Sequence, residues 1–183
     1  MYFAALLART EDGWEASDTE LDDVETLSDL ADLAREHREE AEADDDTVLV
    51  FIEQEDAWFG VVRVDGEEDP RVYVSDAAAA ARSSYGEILL TDEMLGREPG
   101  DDGADELDAL DLDGTEDGED SVDDEDEGEG GSDDAVPAGP LGDTEILADL
   151  GVSEKNLLSL ESGDALSEIA EVLGAAEVLE TVR

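Results

Sequence analysis

Residues 47–52 read TVLVFI, directly after Asp44-Asp45-Asp46. A strand with one wet face alternates polar and apolar residues. This unbroken, β-branched-rich run instead predicts a central strand covered on both faces. Working outward, residues 53–56 read as a turn and 57–64 (AWFGVVRV) as the next strand, ending at Asp65-Gly66. After the acidic turn 67–70, residues 71–74 (RVYV) make a third short strand. Three strands joined by tight acidic turns predict an antiparallel meander.

Upstream, residues 2–9 (YFAALLAR) read as a strand and 14–17 as its return. Asp12-Gly13 between them is a hairpin signal. From Val24 the period changes, with Leu27, Leu30, Ala31 and Ala34 at helical spacing. This predicts a helix over 23–42, capped by Asp22 or Asp23, with Glu25 in its first turn. Its distal end, REHREEAE (35–42), is polar all round and is expected to project or fray. Downstream, Ser75 or Asp76 caps an alanine-rich helix over 77–83, Tyr85-Gly86 interrupts it, and 87–95 (EILLTDEML) is a further apolar segment. The order β-β-α-β-β-β-α predicts an α+β fold, an antiparallel sheet packed with helices.

Between Glu98 and Asp134 the chain runs for 37 residues with 20 Asp or Glu and no Lys or Arg. Such a segment cannot offset its ordering entropy by burying apolar surface. It reads as a disordered acidic linker over 98–140, with Pro137, Gly139 and Pro140 at its exit. The expected organisation is an α+β domain at 1–97, this linker, and a small all-helical unit at 141–183. In that last unit, helices are expected over 143–150 (closed by Gly151), from Ser153, from Gly163-Asp164 to Leu173 (closed by Gly174), and over 175–182. Its apolar side chains exceed what four short helices can hide. Part of that surface is expected to face a partner or the N-terminal piece.

The formal net charge is -49. It disfavours nucleic acid and anionic membranes, whose phosphates would be repelled, and favours basic protein partners. The chain has no cysteine, which excludes disulfides, thiolate nucleophiles and Cys-based metal sites. YFAALLA after Met1 lacks a basic flank and is short, so neither a signal peptide nor a membrane helix is expected, and the expected location is the cytoplasm.

Motifs for chemistry are sparse. Asp111, Asp113 and Gly114 match part of a calcium loop, but Ala109 and Asp120 occupy its first and twelfth positions. His37, the one histidine, stands in an H-x-E triplet whose cysteine half cannot exist here, and reads as a solvated surface residue. There is no G-x-S-x-G elbow, Walker loop or dinucleotide fingerprint. Carboxylate pairs are so abundant that none is informative. No catalytic, metal or cofactor-binding residue is therefore assigned, and a noncatalytic protein without cofactor is expected. The candidate partner-binding residues are Trp58, Arg63, Arg71 and Tyr85: large aromatics and rare cations, the first three on the predicted strands 57–64 and 71–74 and Tyr85 after the alanine-rich helix, of types enriched at binding hot spots. The ordinary role of such aromatics is core packing, and of such arginines local pairing.

The segments 1–35 (MYFAALLARTEDGWEASDTELDDVETLSDLADLAR) and 45–96 (DDTVLVFIEQEDAWFGVVRVDGEEDPRVYVSDAAAAARSSYGEILLTDEMLG) closely resemble the actinobacterial tRNA adenosine deaminase-associated proteins. So do LADLGVS and the ending EVLETVR. The likeness spans nearly everything except the acidic linker and the REHREEAEA stretch. It implies an accessory role in tRNA editing, by association with the tRNA adenosine deaminase, and carries no functional residues with it; action by protein–protein contact with that enzyme is the expectation built on it. The alternative reading is an acidic mimic of nucleic acid that occupies a basic groove on a partner.

Overall fold

The computed structural model describes residues 2–43, 45–54, 57–91, 94–95 and 136–183. The expected acidic linker and the calcium-loop-like pattern at Asp111–Gly114 lie outside the described residues, save for the linker's last five positions. The fold is α+β. Strands β1 (Tyr2–Thr10), β2 (Gly13–Asp18), β3 (Thr47–Gln54), β4 (Trp58–Asp65), β5 (Arg71–Val74) and β6 (Leu141–Gly142) form one sheet in the order β2-β1-β3-β4-β5-β6. Every pairing is antiparallel.

β3 lies inside the sheet, bonded to β1 and β4, and is buried at each position from Thr47 to Glu53. Alternation divides its side chains between two cores. Val48, Val50 and Ile52 join Leu6, Trp58 and Val62 under α1 (Leu27–Glu40), α2 (Ala77–Ala80) and α3 (Ser84–Leu89). Leu49 and Phe51 join Leu7, Phe59, Val61 and Tyr73 on the other face. That second face is covered by the C-terminal segment. It contributes a 3-10 turn (Ala148–Leu150), α4 (Glu154–Ser159), α5 (Ala165–Leu173) and α6 (Ala176–Val182). Ile146, Leu147, Leu157, Leu166, Ile169 and Leu179 are its buried apolar contribution. The unbroken apolar run of β3 thus has cover on both faces because two helical layers, distant in sequence, sandwich it.

The β1–β2 hairpin forms as its sequence predicts, with Thr10 paired to Gly13 and Gly13 at φ +133° just beyond the turn. Several element boundaries differ from expectation, each for a local reason. α1 starts at Leu27 because Thr26 and Asp29 form a capping box: Asp29 N donates to Thr26 Oγ1 (3.2 Å) and Thr26 N to Asp29 Oδ2 (3.0 Å). Leu21 and Val24, before it, insert into the core instead of starting a helix. The distal end of α1 does not project as expected. Arg35 Nε donates to Gly66 O at 2.9 Å, and Arg38 pairs with Asp46. His37, expected at the surface, is 7 % exposed and shares the buried face of Leu30 and Ala34.

Tyr85-Gly86 does not interrupt a helix but lies within α3. A Cβ at Gly86 would lie 2.1 Å from Ala80 O, so glycine lets α3 begin hard against the end of α2. The helix expected over 143–150 is largely replaced. Leu141 and Gly142 pair with β5, Asp143 N donates to Val72 O (2.8 Å), and only one 3-10 turn precedes Gly151. In a helix Ile146 O would accept from Leu150 N. Here it accepts from Arg63, while Leu150 N turns to Leu147 O. α5 ends as predicted at Gly174, at φ +76°, with Ala175 N donating back to Ala170 O at 2.7 Å.

Candidate partner interface

The four candidate residues fall on opposite faces of the sheet. Trp58 opens β4 on the α1–α3 side. Its indole is fully buried, and Nε1 donates to Gln54 Oε1 at 2.9 Å. A hot spot needs an exposed Trp58, so in this structure its role is core packing. Tyr85 lies on the same side, half-buried, with its ring stacked on Tyr2 at 3.9 Å between centroids. Its hydroxyl donates to Asp22 Oδ1 at 3.1 Å. The phenol is held above its ordinary range, first by hydrogen bonding with Tyr2, then by burial and Asp22.

Arg63 and Arg71 face the other way, side by side in register across β4 and β5. The Arg63 side chain is 9 % exposed, and each of its three guanidinium nitrogens has an acceptor within the fold. Nε donates to both Asp65 oxygens at 3.0 Å. Nη1 donates to Ile146 O (3.0 Å) and Asp149 Oδ1 (2.5 Å), and Nη2 to Asp149 Oδ2 (2.9 Å). The fork is bidentate on Asp149, the geometry that makes Arg–carboxylate pairs strong. Asp149 holds Arg63 above its ordinary pKa against the desolvation that would lower it. Reciprocally, the Arg63 hydrogen bonds hold the Asp149 carboxyl below the usual carboxylate range. Arg71, more exposed, pairs with Asp143 at 3.2 Å and Asp65 at 3.6 Å. The structure therefore joins Arg63 and Arg71 in one ionic seam between the sheet and the returning chain, apart from Trp58 and Tyr85.

A second seam stands at the far end of the same layer. Arg183 reaches Glu53 Oε1 at 2.8 Å, Ser167 Oγ at 2.8 Å and Gly163 O at 3.1 Å, with its guanidinium 5.8 Å from the Phe3 ring centroid. Trp14 Nε1 donates to Leu173 O at 3.0 Å, tying the hairpin to the end of α5. Buried Glu53 and the arginine contacts with 146 and 149 are structural features that single-sequence reading missed. The signal available was a carboxylate ending an apolar run, at Glu53. Its partner, 130 residues away, has no local signature.

Arg9, Arg35, Arg38, Arg63, Arg71 and Arg183 each pair with a carboxylate of this chain. Their positive charge is largely spent inside the fold, and the outward field is left to the acidic side chains. Among the described residues no group of three or more His, Cys, Asp or Glu gathers as metal ligands, and no helix is long and apolar enough to cross a membrane.

Two surface grooves stand out. One, of about 750 Å³, lies by the β5–β6 edge and is lined by Leu27, Arg71, Val72, Met94 and Asp143 among others. The other, of about 360 Å³, runs between α4 and α5, with Val152, Leu160 and Ile169 as its apolar lining and Glu168, Glu171 and Val172 on its α5 side. Leu158 and Val172, on these two helices, are the large apolar side chains exposed among the described residues.

No curated protein and no solved structure matches the chain. A family model does, over residues 2–176, a span that takes in all six strands and every helix except α6, of which it reaches only the first residue. The chain belongs to the family described as Rv3753c-like tRNA adenosine deaminase-associated protein.

Proposed function

We propose that this protein is a noncatalytic accessory factor of the tRNA adenosine deaminase, acting by protein–protein contact on the enzyme that edits wobble adenosine to inosine. The observation that carries the reading is the family match over residues 2–176, whose description names that association. Two features of the fold support it. The cations of the candidate site are paired with Asp65, Asp143 and Asp149 of this chain, where they hold the fold together. The acidic outer surface suits a protein whose own face is basic, as a tRNA-handling enzyme's is.

Size-exclusion chromatography of the two purified proteins near physiological salt tests it, together with deaminase rates on tRNA across a range of added protein. A co-eluting complex with a changed rate is expected. Absence of a complex with an unchanged rate would sink the reading. A second reading, mimicry of nucleic acid, is favoured by the 20 acidic residues among the 37 at 98–134. It predicts competition with tRNA that fades steeply with salt and is lost when 98–134 is removed.

A further inference from the structure

We infer that the groove between α4 and α5 is a docking site for a basic amphipathic helix of a protein partner. The occupant presents apolar side chains at i and i+3 or i+4, flanked by Lys or Arg. Three observations converge on it. Val152 and Ile169, each 1 % exposed, line the floor of the groove. Val172, on the rim, is 51 % exposed beside acidic side chains: Cγ1 lies close to Gly151, and the rest of the side chain is open to solvent. Glu168 and Glu171 are exposed on the same wall and have the charge that a Lys- or Arg-bearing helix would meet.

The geometry selects the mode. The sheet edges lie elsewhere, so strand addition has no template here, whereas a trough between two helices, apolar at Val152, Leu160, Ile169 and Val172 and polar at Asn156 and Ser159, receives a third helix by its apolar stripe. The volume, about 360 Å³, is at the low end of the range for ligand pockets and suits the anchoring side chains of one or two helical turns. Affinity comes from the apolar anchors. The carboxylates contribute steering and selection of a basic over an acidic helix. The inference does not require that the partner be the deaminase.

The test uses the full-length protein, isotope-labelled for NMR, and two synthetic helical peptides of equal length, one patterned with Leu and Lys, the other with Leu and Glu. The Leu/Lys peptide is expected to shift resonances of Val152, Ile169 and Val172, and the Leu/Glu peptide to shift none. Val172→Glu is expected to weaken the Leu/Lys peptide by about tenfold or more. The pair Glu168→Lys with Glu171→Lys should weaken it further and flatten its salt dependence. Shifts scattered over the acidic surface overturn the proposal. So does equal weakening by the charge control, Glu68→Lys with Glu87→Lys on the opposite side of the sheet, or indifference to Val172→Glu. A parallel titration with the purified deaminase separates the two ideas. Loss of a wild-type complex in Val172→Glu identifies the groove as its contact. Failure of the wild type to bind it removes the deaminase reading, while the peptide result still decides the groove.

Discussion

At the scale of single residues, the Arg63–Asp149 pair couples stability to pH in a definite direction. Asp149 has an ordinary value of 3.8 and is held lower in the fold. The unfolded chain therefore binds the proton first as pH falls, so the pair's stabilisation is present above pH 3.8 and lost as pH falls through the folded value. Asp149→Asn is expected to cost about 1 kcal/mol at neutral pH, less than a fully buried pair would, because the Asp149 side chain is 57 % exposed. Denaturant titrations of both proteins from neutral pH downward check it. The gap between them should close below pH 3.8, and a gap constant with pH would contradict the assignment. His37 is the converse case. Its Nε2 is buried and has no hydrogen-bond partner among the described residues. A buried polar atom left unmade costs about 1–3 kcal/mol, so His37→Leu is expected to raise the midpoint of thermal unfolding. A lower midpoint would show that the imidazole is satisfied in solution. The Leu30–Ala34–His37 spacing was legible in the sequence. That a polar side chain would occupy the inward position was not, because periodicity places a face without saying what packs on it.

At the scale of elements, periodicity and alternation performed well where burial is one-sided or complete. β1, β3, β4 and β5 appear close to their expected bounds. Trp58 and Phe59 point to opposite faces, as alternation requires, and both faces are covered. Alternation could not tell that both would be core, because the second cover comes from a segment beyond residue 140. Expectation failed at 85–86 and 143–150, where groups from neighbouring elements decide the conformation. Gly86→Ala tests the first of these. Its Cβ would meet the Ala80 carbonyl, and backbone cannot retreat as a flexible side chain can. The expected cost is about 3 kcal/mol, read by urea denaturation. A loss below about 0.5 kcal/mol would mean that α3 shifts freely on α2. At 143–150, Arg63 takes the Ile146 carbonyl and β5 takes the Asp143 amide, so a helical tendency yields to tertiary hydrogen bonds.

At the scale of the molecule, the second core has contributors from both ends of the chain, and this makes the two flanking segments mutually dependent. Residues 1–97 alone would expose Leu7, Leu49, Phe51, Phe59, Val61 and Tyr73 together, a larger apolar face than a soluble monomer sustains. That fragment is expected to aggregate or stay unfolded, and co-expression with 136–183 to restore a soluble, cooperatively unfolding complex. Gel filtration and circular dichroism would reveal the opposite outcome, a stable 1–97 monomer. The net charge of -49 also opposes compaction, so added NaCl is expected to raise the melting temperature as screening shortens the range of self-repulsion. A melting temperature that falls across the same salt series would mean that the ionic seams outweigh repulsion. The sequence by itself determined the α+β class, the strand run around β3, the acid-dominated surface and the family, because each is written in local pattern, composition or extended likeness. Only the tertiary structure decided what covers the second face of the sheet, that Trp58 is core, and that Arg63 and Arg71 hold the returning chain. The cover of the second face and the arginine seam depend on contacts between residues more than 70 positions apart, the burial of Trp58 depends on packing within the first core, and no local periodicity encodes which surface a buried face will meet.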